Sequence, residues 1–205
     1  MAIRAALAGL MDLVAPRRCP GCDHALDWGE LGFCGACGPL IERLRHGPAA
    51  YDYGGPLGEG LRRLKYEGRT DLLEALHALV VPLAGAHAGK VDAVVPVPLH
   101  PDRLRRRGFN QAALLADAMA RELGVPLAEE RLIRVRASVP QASLKESERA
   151  ANVHRAFEGR RDAERPRVLL FDDVRTTGAT LRSASGALYR AGCSTVRVQA
   201  LAGVP

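Results

Sequence analysis

Apolar positions in this chain follow two rhythms, a three-to-four-residue spacing and unbroken runs, and their order predicts helices alternating with buried strands. Leu57, Leu61 and Leu64, then Leu72, Leu73, Leu76, Leu79, Val80 and Leu83, line one face each of two helices separated at Gly68. Leu114, Leu115, Ala118, Met119 and Leu123 mark another helix, and Ala179 to Ala191 one built from small residues. The runs 91–97, Leu132 to Val135, Val168 to Phe171 and Thr195 to Leu201 read as strands, with Tyr51 to Gly54 a short strand or turn. Four consecutive apolar residues from Val168 to Phe171 leave no face for water, which marks a strand covered on both sides. The pattern predicts an α/β protein with a parallel sheet flanked by helices. Near the start, Ile3, Leu7, Leu10, Met11 and Val14 recur at helical spacing. Asp12 interrupts what would otherwise be the apolar stretch of a signal peptide, so an amphipathic helix is expected there.

Composition narrows the class. At 205 residues, 47% hydrophobic and 25% charged, the chain suits one soluble α/β domain with a small appendage. Residues 1–48 are expected to form an N-terminal helix and metal-binding module, and 49–205 the α/β domain. No run approaches the ~20 apolar residues that span a bilayer, so neither membrane insertion nor export is expected and the cytoplasm is the expected location. The net charge of +6 favours phosphorylated partners modestly. Among 29 basic residues only Lys65, Lys90 and Lys145 are lysines, so an arginine carries little information here and a lysine somewhat more.

The pairs Cys19-Pro20-Gly21-Cys22 and Cys34-Gly35-Ala36-Cys37 add a second chemistry. Two residues between cysteines turn both thiolates toward one ion, and four sulfurs close a tetrahedral zinc site with no open position, which makes the zinc structural. Two disulfides or free thiols are the alternatives, and a reducing compartment disfavours the disulfides. Cys193, in a helix-to-strand turn, is assigned no chemistry.

The most informative segment is Val168 to Thr180. An apolar strand ends in Asp172 and Asp173, and a polar turn with Gly178 leads into a helix. Ligands of open α/β sheets bind at the carboxyl ends of strands, where the acid pair can meet sugar hydroxyls or hydrated magnesium. Thr176, Thr177, Gly178 and Thr180 supply hydroxyls and a residue free to take positive φ, and the following helix start offers N–H groups to a phosphate. Pro96 and Pro98 end the strand before them and expose the loop Pro98-Leu99-His100-Pro101-Asp102-Arg103, followed by the basic turn Arg105 to Arg107. His100, Arg103 and Arg107 suit an anion, a nucleic-acid patch or plain solvation. Lys65, beside the turn at Gly68, is either a solvated lysine or a phosphate or substrate contact. The polar stretch Ala137 to Ser147 reads as a lid, with Gln141, Arg149 and Asn152 as candidate members, although a short surface helix from Ser143 explains the last two nearly as well.

The segment Val168 to Thr180 resembles the phosphoribosyl-pyrophosphate (PRPP) motif of type I phosphoribosyltransferases. Together with the cysteine pairs, Leu64-Lys65-Tyr66-Glu67-Gly68, Val95-Pro96-Val97-Pro98-Leu99-His100 and Arg107-Gly108-Phe109-Asn110-Gln111-Ala112, it resembles the ComF family from about Asp12 onward. The resemblance implies a zinc module fused to a type I phosphoribosyltransferase (Rossmann-like) fold, with links to competence and DNA uptake. Asp172 and Asp173 would hold the ribose hydroxyls and act in catalysis, and Val174, Arg175, Thr176, Thr177, Gly178, Ala179 and Thr180 the 5′-phosphate. Pro98, Leu99, His100, Arg103, Arg107 and Lys65 would meet pyrophosphate or substrate, with magnesium as cofactor. Ser138 stands where the family's lid pattern has threonine. The acceptor is not named by the sequence, and an acceptor-binding hood, if one exists, is expected from the N-terminal zinc module and helices rather than from a segment after the last strand. A nucleic-acid adaptor, binding single-stranded DNA or a competence-machinery protein and using PRPP as a signal, is the alternative.

Overall fold

A computed structural model of the chain describes residues 17–27, 30, 32–135, 156–161 and 164–204. In chain order its main elements are strand β1 (Ala49–Asp52), helices α1 (Gly55–Glu67) and α2 (Leu73–Val80), strand β2 (Ala93–Pro96), helices α3 (Pro101–Arg107) and α4 (Gln111–Leu123), strands β3 (Leu132–Arg134), β4 (Phe157–Gly159) and β5 (Arg167–Arg175), helix α5 (Ala179–Arg190) and strand β6 (Thr195–Gly203). Four strands pair in parallel in the order β1–β6–β5–β2, and β3 and β4 form a separate antiparallel ribbon.

Side-chain alternation along β5 divides the core. Val168 and Leu170 enter one apolar cluster with Leu181, Ala184 and Leu188 of α5. Leu169 and Phe171 enter the other with Leu61 and Leu64 of α1 and Leu115 and Met119 of α4. Because successive side chains point to opposite faces, the next two residues inherit the division. Asp172 faces the α5 and ribbon side, and Asp173 faces α1 and α4.

Helix α1 forms because Leu57, Leu61 and Leu64 make a stripe that is at most 1% exposed, Pro56 sits in its first turn, and Gly68 ends it at φ 68°. Two local readings are corrected. The exposed loop and basic turn expected over 98–107 is largely α3: Pro101 starts a helix that His100 caps, its Nδ1 accepting from the Asp102 N–H at 3.3 Å. The strand expected at Leu132 forms as β3, apart from the main sheet, paired with Phe157–Gly159. The strand bearing the acids continues past them, because β6 runs alongside far enough to pair Val174 with Ala202 and Arg175 with Gly203. The expected N-terminal helix and the lid residues Gln141, Arg149 and Asn152 lie outside the described residues.

Candidate functional site

Beyond the end of β2 and beside the acids lies a cavity of about 210 Å³. Asp172 and Asp173 from β5, Pro98 and Leu99 after β2, Arg103 and Arg107 from α3, Lys65 from α1 and Thr180 at the start of α5 all line it. Tyr66, Gln111 and Arg134 also line it and were not singled out. His100 is not among its lining residues, being engaged as a helix cap.

Asp173 is 3% exposed and its partners come from two helices. Gln111 Nε2 donates to Asp173 Oδ1 at 3.2 Å, and the Gln111 Oε1 accepts from Arg107. The Lys65 ammonium forms an ion pair with Asp173 Oδ2. Gln111 thereby bridges a guanidinium to a buried carboxylate, giving Asp173 Oδ1 its hydrogen-bond donor. Its position as the first residue of α4, directly after the cap Asn110, is fixed by a double tie: Asn110 Oδ1 accepts from the Ala112 N–H, and Asn110 Nδ2 donates to Val97 O, both at 3.1 Å.

Asp172 carries the strain of the pair. Burial, then the neighbouring Asp173 charge, push its carboxyl well above the usual carboxylate range. Its Oδ1 accepts from the Asp173 N–H at 2.9 Å. Arg134 lies on the same side, where burial and then the charge of Arg103 lower its own pKa while Asp172 opposes the shift. With Lys65, Arg103, Arg107 and Arg134 against two carboxylates, the cavity is electropositive by at least two charges. Aromatic faces back three of these cations: Tyr53 under Lys65 at 5.8 Å, Tyr66 under Arg107 at 5.7 Å and Phe157 under Arg134 at 5.2 Å.

The turn after β5 is open. Thr176 and Thr177 are exposed, Gly178 sits at φ 74°, and no side chain caps α5. The Thr177 carbonyl accepts from Arg182 Nη1 at 2.9 Å, and Thr177 Oγ1 accepts weakly from the Ala179 N–H at 3.4 Å. An uncapped first turn leaves N–H groups directed at solvent, with the partial positive charge of the helix end behind them. Val174 instead packs against the α1 and α4 core cluster, so its side chain supports the turn from below.

The cysteine pairs converge. The sulfurs of Cys19, Cys22, Cys34 and Cys37 all lie within 4.8 Å of one another, against an edge of about 3.8 Å for a tetrahedron with zinc–sulfur bonds of ~2.3 Å. Cys22 and Cys34 Sγ stand 3.6 Å apart, well beyond a disulfide bond, and the Cys34 N–H points at Cys19 Sγ at 3.4 Å. The amide N–H of Cys37 and others in the second knuckle draw the Cys34 thiol down to about 7, while burial pushes Cys37 up. Sulfur-directed amides and four converged thiols fit a metal such as zinc in a closed, structural site. Cys193 is buried away from this group.

Among the described residues no helix is long and apolar enough to cross a membrane. No family model matches the chain. The "DNA utilization protein YhgH" of Shigella flexneri is 32% identical over 192 residues, covering 89% of this chain and 82% of its own. "Competence protein F" of Haemophilus influenzae is 30% identical over 207 residues, covering 90% and 89%. Among solved structures, the glutamine PRPP amidotransferase of B. subtilis complexed with ADP and GMP aligns with 68% of this chain and 30% of its own, at 23% identity and a TM-score of 0.47.

Proposed function

This chain belongs to the ComF family, and from that premise we propose that it binds magnesium PRPP and transfers the phosphoribosyl group to an acceptor. The observation that carries the reading is one juxtaposition: buried twin acids, an uncapped helix start behind a positive-φ glycine, and four cations around a single cavity. A pentose phosphate with a pyrophosphate leaving group has the matching parts.

In this reading Asp172 and Asp173 meet the ribose hydroxyls from opposite faces of β5. The backbone from Arg175 to Thr180 holds the 5′-phosphate, with Thr176 and Thr177 adding hydroxyl donors. Arg103, Arg107 and Arg134 meet pyrophosphate, because planar guanidinium donors match phosphate oxygens. Pro98 and Leu99 form the wall against which it lies. The bond from C1 to the pyrophosphate oxygen breaks with its electron pair leaving on pyrophosphate, the acceptor's lone pair forms the new bond to C1, and the acceptor's proton passes to water. Positive charge develops on the ribose in that step, so fixed carboxylates beneath it and fixed cations around the leaving group both stabilise the transition state. Magnesium, when bound, neutralises charge on the departing pyrophosphate. Asp172 and Asp173 are the carboxylates of the described cavity that would hold it, with Asp173 already paired to Lys65.

The four cysteines hold a structural zinc, residues 1–48 and 49–205 form the two units, and the protein acts in the cytoplasm. Gln141, Arg149 and Asn152 belong to the lid of this reading. A pyrophosphate-release assay with magnesium PRPP against nucleobases, ammonia and oligonucleotides tests it: release that depends on one acceptor supports transfer, and absence of both release and binding refutes it.

A second reading is favoured by a specific surface. Tyr66 is 73% exposed at the cavity rim, and Arg105 and Arg106 are exposed nearby on α3. An exposed ring among cations suits stacking with single-stranded nucleic acid. DNA affinity that falls steeply with salt, and is lost in Tyr66→Ala, would favour an adaptor whose PRPP site acts as a sensor.

A further inference from the structure

Helix α1 is held at both ends by groups of different chemistry. Toward its start it lies against the first cysteine knuckle with no slack. A Cβ on Gly60 would stand 2.6 Å from Pro20 Cβ, and one on Gly21 would stand 2.6 Å from Pro56 Cβ and 2.9 Å from Cys37 Sγ. These distances are shorter than side chains tolerate, so each glycine's backbone lies directly against a proline ring of the other element. Asp23, in the same knuckle at φ 63°, adds charge to the contact by reaching Arg63 at 3.8 Å and Arg69 at 2.9 Å. Five residues beyond Gly60, about 7.5 Å along the axis, Lys65 is only 14% exposed and its ammonium rests on Asp173.

The sulfur cluster and the acid pair therefore share one rigid element. We infer that Lys65 is a positioning residue for Asp173 and that the four-cysteine centre, through α1, sets where Lys65 stands. Metal bound by the knuckles fixes the seat of Pro56 and Gly60. Loss of the metal frees the knuckle, and the helix end that carries Lys65 shifts relative to Asp173, whose other donor, Gln111, comes from α4 and stays. The ion pair is shielded from water, 14% exposed on the Lys65 side and 5% on the Asp173 side, so a shift that separates the two charges weakens it more than it would at the surface. Binding at the two sites is then reciprocal: whatever factor zinc contributes to ligand affinity at the acids, the ligand contributes to zinc affinity.

The ligand arm of this inference rests on the PRPP reading, and the zinc arm does not. Zinc affinity of the full, zinc-loaded chain is measured by equilibrium competition with a chromophoric chelator, and magnesium PRPP affinity by calorimetry. Wild type is compared with Lys65→Met, Lys65→Arg, Gly60→Ala and Gly159→Ala. The last puts a Cβ 2.6 Å from Ala191 Cβ and 2.7 Å from the Ala187 carbonyl oxygen, a wedge at least as severe and remote from α1, and controls for general destabilisation. Lys65→Met should weaken zinc binding several-fold although it touches no cysteine, Lys65→Arg should recover most of it, and Gly159→Ala should not weaken it. Gly60→Ala should weaken magnesium PRPP about tenfold with every cavity residue intact. Zinc affinity of Lys65→Met within twofold of wild type, or a loss matched by Gly159→Ala, overturns the inference. If wild type fails to bind magnesium PRPP, the proposed function falls and the zinc comparison alone decides the lever.

Discussion

Gly178→Ala isolates the phosphate-holding turn from everything else at the site. Gly178 has φ 74°, a region that costs a residue with a Cβ roughly 1–2 kcal/mol. The new methyl would also stand 3.1 Å from Arg182 Nη1 and 3.4 Å from Arg175 Nε, both ends of flexible side chains that can yield. Strain therefore dominates, and for a chain of this size about 2–4 °C is lost per kcal/mol, so the thermal midpoint should fall by about 2–8 °C. If the backbone escapes the strain by turning φ negative, the N–H groups at the start of α5 rotate away from the ligand. Losing one charge-assisted hydrogen bond of ~1.5–3 kcal/mol weakens magnesium PRPP by about 10- to 150-fold. Gly124→Ala is the control: Gly124 has φ 66°, caps α4 and would meet nothing within 4 Å. It should lose similar stability and no affinity. Scanning calorimetry and binding calorimetry on the three proteins decide the matter. A Gly178→Ala protein that matches Gly124→Ala in both readouts would refute the role of the turn.

Other outcomes follow from the acids and the thiols. Asp172→Asn should stabilise the ligand-free protein, and increasingly so as pH rises. A carboxyl whose folded pKa is raised holds a proton that the unfolded chain gives up near pH ~3.9, so wild-type stability falls from there through the raised value; urea midpoints that differ by a pH-independent amount would contradict this. Gln111→Leu removes the bridge between Arg107 and Asp173 and should cost about 1–3 kcal/mol in urea unfolding; an unchanged urea midpoint would contradict the bridge. Shortly after chelation of the metal, iodoacetamide should label Cys34, drawn down to about 7 chiefly by the Cys37 amide, ahead of Cys37, whose thiol burial pushes up. Peptide mass mapping reads the order.

The centre of the parallel sheet was legible because β2 and β5 carry apolar runs, while β1 is too short and β6 too mixed for that signal, and α1, α4 and α5 were legible because their apolar faces recur at helical spacing. Helix α3 was not: it buries no residue, so it has no apolar period, and its signals were Pro101 in the first turn and a histidine cap. The acid pair was found from its place after an apolar strand, but its division between two faces needed the two core clusters to show which way each side chain points. Gln111, though part of the motif from Arg107 to Ala112, and Arg134 were given no site role for a common reason. Each is an ordinary polar residue in its own segment and becomes part of the site only through long-range partners, Asp173 for the one and Arg103 with Asp172 for the other. Lys65 was flagged by its rarity and its turn, while its partner 108 positions later in the sequence could be known only from the fold.

The most direct test is a calorimetric titration of the zinc-loaded protein with magnesium PRPP, repeated on the Asp172→Asn/Asp173→Asn double variant. The account predicts saturable binding to one site in the wild type, competed by ribose 5-phosphate and by pyrophosphate, and none in the double variant. A wild type that does not bind, or a double variant that binds equally well, would contradict it.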